Sequence, residues 1–361
     1  MNWFEIHPRF RLNGISFTKK NLAEQVHNFI GEGKDFKINI GNFFLDWLNE
    51  SPEIVVMTSG STGPPKKIKL QKQQMVNSAR ATGNFFDLNP GDRALHCLSS
   101  NYIAGKMMLV RGMVLGLELD CVPPGSKPLK NITDTYDFAA MVPLQLHGSL
   151  NDIDHVKTLI IGGAPLSQEL KKKVRGKNTC IFETYGMTET ITHVAVKRIN
   201  PITKDNCTGK GETFKSLPDI IFSQDDRGCL IIDAPGVSDS KIITNDVVDL
   251  FSEKEFQWLG RYDHIINSGG VKLFPERIEA LLSPIIPNRF FIAGLPDDKL
   301  GTKLVLCIEG HQDKSKLSYK IHQLETLSKY QIPKEILVVP KFLETENGKV
   351  NRYKTMAMVG K

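Results

Sequence analysis

The sequence predicts an α/β protein with a large layered N-terminal domain and a small α+β C-terminal domain. Short runs of β-branched and aliphatic residues alternate with segments of helical periodicity up to about residue 260, which is typical of α/β layers. About a hundred further residues carry strands and helices of their own. A chain of 361 residues also exceeds the usual size of one core. We therefore expect domains at residues 1–260 and 264–361, joined at 261–263.

In the first domain, four runs are predicted to be strands and one segment is predicted to be a helix. The helix, Leu166–Arg175, has Ser167 near its start and basic residues toward its end, as helix termini favour. The predicted strands are Ile54–Met57, Thr158–Ile161, Leu230–Ile232 and Val247–Phe251.

The second domain is predicted to contain one clear helix and three strands. Pro275 and Glu276 open the helix, which continues through Leu281, because proline and acidic residues are favoured in a first turn. The predicted strands are Phe290–Ala293, Leu304–Ile308 and Ile336–Val339.

The composition is that of a globular protein with a mild positive charge. Apolar residues make up 40% and charged residues 24%, which argues against disordered and fibrous classes. Lys and Arg number 46 against 40 for Asp and Glu, an excess suited to a polyanionic small molecule. The basic clusters are short and lack interleaved aromatic residues, so no nucleic-acid partner is expected. We interpret Lys171–Lys173 as the solvated face of a helix.

The cysteines and the apolar segments favour a cytoplasmic protein. The six cysteines form no C-x-x-C pair and no regular spacing, so neither zinc nor a disulfide framework is expected. The N-terminus does not resemble a secretory signal. The most apolar stretch, Met107–Leu117, is interrupted by Arg111 and is too short to span a bilayer.

A segment rich in hydroxyl groups, glycines and lysines follows the predicted strand that ends at Met57. Close-approaching backbone donors and positive charge are what a phosphate cradle requires. The order of residues is not that of a Walker A loop. A mobile surface turn with solvated lysines is the alternative interpretation. The candidate phosphate-binding residues are Thr58, Ser59, Gly60, Ser61, Thr62, Gly63 and Lys66.

Residues 58–66 match the phosphate-loop pattern [ST]-[SG]-G-[ST]-T-G-x-P-K, and the chain resembles the adenylate-forming superfamily that carries it. That superfamily contains acyl-CoA synthetases, firefly luciferases and peptide-synthetase adenylation domains. The resemblance implies an acyl-adenylate made from ATP and a carboxylate, followed by transfer of the acyl group to a thiol. It also implies ATP, Mg²⁺ and coenzyme A as cofactors and co-substrates. Typical members carry a longer segment before this loop, so we expect an abbreviated start to the large domain.

Tyr185-Gly186-Met187-Thr188-Glu189 resembles the family motif Y-G-x-T-E. The resemblance implies that Tyr185 and Gly186 lie near adenine, that Thr188 contacts phosphate and that Glu189 binds magnesium. A single carboxylate suits Mg²⁺, which keeps several waters and shares phosphate oxygens. The alternative is an ordinary Tyr-Gly turn with a surface glutamate.

Thr244-Asn245-Asp246 resembles the family motif T-G-D, with Asn245 in place of the usual glycine. The resemblance implies that Asp246 binds the ribose hydroxyls. Asparagine tolerates positive φ better than other non-glycine residues, so we expect a turn at Asn245 to survive the replacement. The alternative role of Asp246 is that of a turn or capping aspartate.

Three more segments complete the resemblance: Gly260–Asp263, Asn267–Lys272 followed by Pro275–Glu279, and Gly348–Arg352. They imply that Arg261 contacts the ribose, that Asp263 is the hinge, and that Gly269 and Gly270 border the tunnel for the thiol. Lys349 would be the adenylation lysine, supplying positive charge to the reacting carboxylate and α-phosphate. The alternatives are a glycine-rich turn, a capped helix and a solvated basic tail.

The abbreviated start and the segments Tyr102–Met108, Ile161–Leu166 and Thr188–His193 resemble, within the family, the o-succinylbenzoate-CoA ligases of menaquinone biosynthesis. Such a substrate has one reacting carboxylate and one that is only recognised, so its pocket needs a positive or hydrogen-bonding group. Lys106, Arg111 and His193 are candidates for that group, and Arg111 could instead cap apolar packing. Tyr102, Gly162 and Gly163 complete the substrate-binding prediction.

Three other interpretations of the function stay open. The chain could be another aryl- or acyl-CoA ligase, or a stand-alone adenylation enzyme that loads a carrier protein. It could also be a non-catalytic nucleotide-binding relative, although such a protein would have little need for both Glu189 and Lys349. The expected partner is a small carboxylate, and the sequence leaves the oligomeric state open.

Overall fold

A computed structural model describes residues 2–17, 21–57, 67–200, 213–344 and 350–359, without the side chains of Leu22 and Ala23. The strands in the part of the chain up to residue 261 are Arg11–Leu12 (β1), Ile15–Ser16 (β2), Glu53–Met57 (β3), Lys67–Gln71 (β4), Arg93–His96 (β5), Glu118–Cys121 (β6), Tyr136–Met141 (β7), Val156–Ile161 (β8), Cys180–Gly186 (β9), His193–Arg198 (β10), Phe214–Ser216 (β11), Ile221–Gln224 (β12), Cys229–Asp233 (β13), Ile242–Ser252 (β14) and Glu255–Arg261 (β15).

The later strands and the helices complete the set of elements. The strands are Ile266–Ser268 (β16), Val271–Leu273 (β17), Phe290–Asp297 (β18), Gly301–Glu309 (β19) and Glu335–Val339 (β20). The helices are Leu22–Gly31 (α1), Asp35–Leu48 (α2), Lys72–Phe86 (α3), Ile103–Leu115 (α4), Pro143–Gly148 (α5), Gln168–Val174 (α6), Pro275–Leu282 (α7), Lys314–His322 (α8) and Arg352–Val359 (α9).

Thirteen of the described strands form one mixed sheet in the order β12-β13-β14-β15-β11-β10-β9-β8-β7-β5-β6-β1-β2. The stretch from β9 to β1 is parallel, and the strands on either side of it pair antiparallel. Successive residues of β7 and β8 enter two different apolar clusters, as expected for strands covered on both faces. The predicted α/β class is confirmed.

Helix α4 is the most deeply buried helix near the centre of the large sheet. Its residues from Met107 to Val114 are all buried, and it packs against α3. Gly105 lets the start of the helix approach the preceding loop, since a Cβ there would lie 2.2 Å from the Ser99 carbonyl oxygen. The helix therefore fixes the position of Arg111 inside the protein. None of the described helices is both long and apolar enough to cross a bilayer.

The strands β3 and β4 form a separate antiparallel pair that brackets the predicted phosphate loop. Met57 pairs with Lys67 at the end where residues 58–66 connect the two strands. Ile54, Val56 and Leu70 pack into the apolar cluster that also holds Ile191. The strands β3 and β4 thus pack on the same core as Tyr185 and Met187.

After Arg261 the described strands form smaller sheets. Strands β18, β19 and β20 form a three-stranded sheet, with α7 and α8 on one face and α9 on the other. Every strand predicted from the sequence is present, and α7 begins at Pro275 as predicted. The predicted helix at 166–175 is also confirmed, although it is shorter and is capped by the Ser167 side chain.

Candidate functional site

Three residues that the motifs singled out meet at one end of the large sheet. The Tyr185 hydroxyl, at the end of β9, donates a hydrogen bond to Asp246 Oδ2 at 2.7 Å. Asp246 in β14 is the cross-strand partner of Arg261 in β15, and Arg261 Nη1 lies 3.9 Å from Asp246 Oδ1. Arg261 also donates to Asp263, with its Nε 3.1 Å from Oδ1. Residues far apart in sequence therefore form one connected polar cluster.

Aromatic side chains hold this cluster in place. The Trp258 Nε1–H donates to Asp246 Oδ1 at 3.1 Å, so both oxygens of the carboxylate accept hydrogen bonds. The Tyr185 ring packs edge-on against Phe256 at 5.1 Å and near Phe214 at 5.7 Å. Burial raises the pKa of the Tyr185 phenol well above its ordinary value, so the hydroxyl stays protonated and acts as a donor. The carboxylate is thereby oriented before any ligand binds.

The turn expected at Asn245 is wrong. Asn245 lies inside strand β14 and does not have positive φ. Its side-chain oxygen accepts a hydrogen bond from Arg227 Nη1 at 3.1 Å, and Thr244 Oγ1 bonds both the Leu230 carbonyl and the Asp246 amide. Asn245 lies where β14 shifts register against β13, between the pairs Ile231–Ile243 and Cys229–Val247, and its φ is not positive, so glycine-like freedom is not required at this position.

The segment after Tyr185 turns sharply to enter β10. A Cβ on Gly186 would lie 2.3 Å from the Thr192 carbonyl oxygen, so only glycine fits there. Residues Thr188–Thr190 form one turn of 3₁₀ helix, in which Thr190 Oγ1 accepts from the Met187 amide at 3.0 Å. The Glu189 side chain is exposed at this turn, and no described side chain forms an ion pair with it.

Ile191 adopts a conformation that is rare for a β-branched residue. Its φ of 67° and ψ of −60° form a γ-turn, closed by a 2.7 Å hydrogen bond from the Thr192 amide to the Thr190 carbonyl. The side chain is fully buried, so packing holds the strained backbone in place. This turn directs Thr192 and His193 back toward helix α4.

Arg111 is a buried guanidinium that contacts His193 on the neighbouring strand. It is 1% exposed, and its Nη2 lies 3.5 Å from His193 Nδ1 and 3.4 Å from Thr192 Oγ1. Its Nε donates to Thr82 Oγ1 at 3.3 Å. No carboxylate in the described parts of the chain forms an ion pair with it. Burial lowers the pKa of Arg111 to about 9, which still leaves it charged at neutral pH.

His193 offers one ring nitrogen to the same buried region. It is 5% exposed, and its Nε2 has no hydrogen-bond partner in the described structure. Burial and the charge of Arg111 lower the pKa of His193 well below its ordinary value, so the ring is neutral. Arg111 and His193 together therefore present a positive, hydrogen-bonding patch without an acidic partner.

The other predicted substrate-binding residues fall into two groups. Gly162 and Gly163 follow β8 in a loop beside β9, where a Cβ on Gly162 would lie 2.7 Å from Thr184 Oγ1 and Gly163 has a φ of 85°. Lys106 instead lies over the Phe43 ring at 5.2 Å, and Tyr102 is exposed at the start of α4. Of the three candidates for the group that recognises the second carboxylate, Arg111 and His193 lie together, whereas Lys106 contacts helix α2.

Gly269 and Gly270 form the two-residue turn of the hairpin β16–β17. Both have positive φ, at 56° and 80°, which is the requirement of this turn type. The Gly269 amide donates to the Leu300 carbonyl at 3.0 Å, and a Cβ on Gly270 would meet nothing within 4 Å. Asp263 lies in a single 3₁₀ turn between the large sheet and this hairpin.

Two predicted parts of the site lie outside the described residues. They are the adenylation lysine, Lys349, and the phosphate-loop residues Thr58, Ser59, Gly60, Ser61, Thr62, Gly63 and Lys66. The described residues Glu344 and Val350, on either side of the Lys349 segment, form an antiparallel bridge.

Sequence reasoning missed the role of Trp258 and the environment of Lys171. Nothing in the local sequence marks Trp258 as a partner of Asp246, because the contact depends on the register of β14 with β15. Lys171 was expected on a solvated face, but it is 15% exposed and lies 3.6 Å from the buried Glu183 carboxylate. Only Lys172 and Lys173 of that run are exposed.

Comparisons with known proteins find chains of similar sequence and fold. A model described as AMP-binding enzyme matches residues 46–218. The 2-succinylbenzoate–CoA ligase of Listeria monocytogenes is 23% identical over 98% of this chain and 86% of its own. The o-succinylbenzoate CoA synthetase of Bacillus subtilis, solved with its acyl-adenylate intermediate, shares the fold with a TM-score of 0.72 at 22% identity, over 83% of this chain and 68% of its own.

A more similar chain is the acyl-CoA synthetase (AMP-forming)/AMP-acid ligase II-like protein of Dyadobacter fermentans. It is 37% identical, with a TM-score of 0.59, over 90% of this chain and 95% of its own. The family model, this identity over almost the whole length, and the shared fold show that the chain belongs to the AMP-binding enzyme family.

Proposed function

We propose that this protein is an ATP-dependent carboxylate–CoA ligase that forms an acyl-adenylate and then an acyl-CoA thioester. The observation that carries the proposal is the cluster of Tyr185, Asp246 and Arg261, three motif residues that converge at one end of the sheet. A carboxylate with two fixed donors and a nearby guanidinium is a preorganised acceptor for paired hydroxyls such as those of ribose. The family similarity supports the same assignment.

The remaining residues of the site have complementary roles in this proposal. Thr58, Ser59, Gly60, Ser61, Thr62, Gly63 and Lys66 would bind the phosphates of ATP, and Thr188 would also contact phosphate. Glu189 fits a single-carboxylate magnesium site, because its side chain is exposed and unpaired among the described residues. Magnesium, when bound, would neutralise phosphate charge. Lys349 would supply positive charge to the reacting carboxylate during adenylation.

We propose o-succinylbenzoate as the acid, with the thioester serving menaquinone biosynthesis. The buried Arg111 carries the argument, because an unpaired guanidinium in an apolar interior is costly and an anionic group offsets that cost. His193 Nε2 adds a free position for hydrogen bonding beside it. A substrate with a second, unreactive carboxylate meets both needs. Several similar proteins, including those of Listeria monocytogenes and Bacillus subtilis, are named for this substrate.

The domain division and the cellular location belong to the same proposal. Residues 1–260 would form the nucleotide-binding domain, Asp263 the hinge, and residues 264–361 the mobile small domain. The end of the large sheet at Arg261 supports this boundary. The five described cysteines are free thiols, which suits the proposed cytoplasmic location.

The test is pyrophosphate release with ATP, Mg²⁺ and a panel of carboxylates, followed by thioester formation with coenzyme A or a carrier protein. We expect o-succinylbenzoate to be turned over and coenzyme A to accept the acyl group. Efficient turnover of fatty or simple aryl acids, with o-succinylbenzoate ignored, would disprove the substrate but not the reaction. Transfer to a carrier protein alone would favour the second candidate, and no pyrophosphate release with any acid would favour a non-catalytic relative.

Arg111 provides the sharper test of substrate choice. Arg111→Lys keeps a charge but loses the planar fork, so we expect the KM for o-succinylbenzoate to rise by roughly 10- to 100-fold, while the KM for ATP stays within about threefold. Arg80→Met, at an exposed position of α3, serves as the control and should change neither constant. Equal effects of Arg111→Lys on both constants would contradict a role in reading the second carboxylate.

A further inference from the structure

A buried charge cluster lies behind the loop of Gly162 and Gly163. Glu183, in β9, is 7% exposed, and Lys197, its direct cross-strand partner in β10, is 9% exposed. Lys197 Nζ lies 3.0 Å from Glu183 Oε2, and Lys171 Nζ of helix α6 lies 3.6 Å from the same oxygen. The two lysines lower the pKa of Glu183 despite its burial, so the carboxylate is ionised at neutral pH.

Stability alone is a weak explanation for this cluster. Replacing a buried ion pair by apolar residues of similar volume is often neutral or stabilising, because desolvation of the charges offsets their attraction. One further contact gives Glu183 a specific task. Its other oxygen, Oε1, accepts a hydrogen bond from the buried Leu166 backbone amide at 3.1 Å. The carboxylate thus ties the end of the 162–166 loop to strand β9.

The next residue along β9 fixes the beginning of the same loop. Thr184 Oγ1 donates to the Ile161 carbonyl at 3.0 Å, and Gly162 approaches this hydroxyl so closely that a side chain would clash with it. Tyr185 follows directly and carries the hydroxyl bound to Asp246. Three consecutive residues of β9 therefore have related contacts. Thr184 holds the beginning of the 162–166 loop and Glu183 holds its end. Tyr185 contributes to the proposed nucleotide site.

We propose that Glu183 is a positioning residue for nucleotide binding, which holds the loop of Gly162 and Gly163 beside Tyr185 so that the adenosine site exists before ATP arrives. The two lysines keep Glu183 charged and aimed at the Leu166 amide. The inference rests on the proposed nucleotide-binding function. It predicts that nucleotide affinity depends on whether the side chain at position 183 is long enough to contact the Leu166 amide. The charge of that side chain should instead affect the stability of the folded protein.

Two substitutions separate reach from charge. Glu183→Asp keeps the charge for Lys197 and Lys171 but is one methylene short of the Leu166 amide. Glu183→Gln keeps an oxygen at the right reach but removes the charge. Glu169→Asp, an exposed glutamate of α6 that pairs with Lys173, is the matched control. Each variant is compared with the wild type for AMP binding by calorimetry, for the KM values of ATP and acid, and for the melting temperature.

We expect Glu183→Asp to weaken AMP binding and raise the KM for ATP by about tenfold, with kcat changed less than about threefold; the KM for the acid should rise as well, because Gly162 and Gly163 are predicted to bind the acid. Glu183→Gln should bind AMP within about threefold of the wild type, although its melting temperature falls. Normal AMP binding by Glu183→Asp would overturn the inference. So would a loss of AMP affinity in Glu183→Gln that equals or exceeds the loss in Glu183→Asp. Wild-type AMP binding without pyrophosphate release would instead count against the proposed reaction alone.

Discussion

Asp246 accepts hydrogen bonds from two aromatic side chains, Tyr185 and Trp258, and both rings pack against the main apolar cluster. An aromatic ring loses little conformational entropy when it is fixed, so it makes a rigid donor. The carboxylate at the centre of the proposed ribose site is therefore held in one orientation. Preorganisation of this kind lowers the cost of ordering the site when a ligand binds.

Glu189 is the residue through which we expect magnesium to act. Glu189→Gln replaces a carboxylate by an amide, a poorer ligand for a hard cation, so the magnesium concentration for half-maximal pyrophosphate release should rise by roughly tenfold. Excess magnesium should restore part of the activity. The control is Glu169→Gln, which changes another exposed glutamate. If the magnesium dependence of Glu189→Gln equals that of the wild type, Glu189 is a surface residue that does not bind magnesium.

His96 should make stability sensitive to acid. It is 1% exposed at the end of β5, its Nε2 lies 3.0 Å from Ser100 Oγ, and burial lowers its pKa to about 4. The unfolded chain takes up this proton near pH 6.5 and the folded chain only near pH 4. The free energy of unfolding should therefore fall as the pH falls from 6.5 to 4, by on the order of 3 kcal/mol from this residue.

Denaturant unfolding at several pH values measures this effect. His96→Gln, which retains a group able to reach Ser100, should lose stability less steeply than the wild type between pH 6.5 and pH 4. His147→Gln, at an exposed histidine of α5, should follow the wild-type curve. Parallel curves for His96→Gln and the wild type would show that another group governs the acid response, His193 being the other buried histidine with a lowered pKa.

At the scale of single residues, the sequence predicted which residues belong to the candidate site better than it predicted their contacts. Motif spacing was enough to pick out Tyr185, Asp246 and Arg261, and the structure places them together. The contact between Arg111 and His193 was not predictable, because the two residues are 82 positions apart and meet only through packing of α4 on the sheet. Whether each residue has its proposed role stays a prediction.

At the scale of elements, the turn between β9 and β10 depends on Gly186. Gly186→Ala would place a Cβ 2.3 Å from the Thr192 carbonyl oxygen and 2.6 Å from His193 Cα. Both are backbone atoms, so the strands must separate, and we expect a loss of about 1–3 kcal/mol in the free energy of unfolding. Nucleotide affinity should fall as well, since Tyr185 directly precedes the glycine.

Gly176→Ala is the matched control for this substitution. Gly176 follows α6, its φ is not positive, and a Cβ there would meet nothing within 4 Å. The free energy of unfolding of Gly176→Ala, measured by chemical denaturation, and its affinity for AMP should both be close to those of the wild type. A Gly186→Ala protein as stable as that control would mean that the hairpin can widen without strain.

Local patterns predicted most elements well because their signals are local. Pro275 sets the start of α7, Ser167 caps α6, and β-branched runs mark β8 and β13. The errors arose where tertiary context prevails. Asn245 was expected in a turn but lies inside β14, at a register shift against β13 that only the tertiary arrangement reveals. The burial of Lys171 likewise depends on Glu183, a residue from another strand.

At the scale of the whole molecule, we propose that the two half-reactions use opposite faces of the small domain, which would turn about Asp263 between them. Lys349→Ala should abolish pyrophosphate exchange but still pass a supplied acyl-adenylate to coenzyme A, because the charge is needed only for adenylation. Gly270→Trp should do the reverse, since it fills the open space beside the turn. Each half-reaction is assayed separately, with folding checked by circular dichroism.

The turn conformation supplies the control for Gly270→Trp. Gly270→Asn keeps a residue that tolerates the φ of 80° without adding a large ring, so it should retain most of the thioester-forming activity. Equal loss of both half-reactions in folded Lys349→Ala and Gly270→Trp would contradict domain alternation in this protein. If Gly270→Asn lost as much thioester-forming activity as Gly270→Trp, the cause would be a disturbed turn conformation and not the filling of the open space beside the turn.

Arg261 connects the nucleotide end of the sheet to the proposed hinge, because its guanidinium contacts Asp246 on one side and Asp263 on the other. Arg261 Nε donates to Asp263 while its Nη1 lies 3.9 Å from Asp246, so a ligand that draws the guanidinium toward Asp246 would also change its contact at the proposed hinge. Coupling free energies are reciprocal. If Asp263 acts as the proposed hinge, whatever factor AMP binding applies to the hinge equilibrium, a locked hinge applies to AMP affinity.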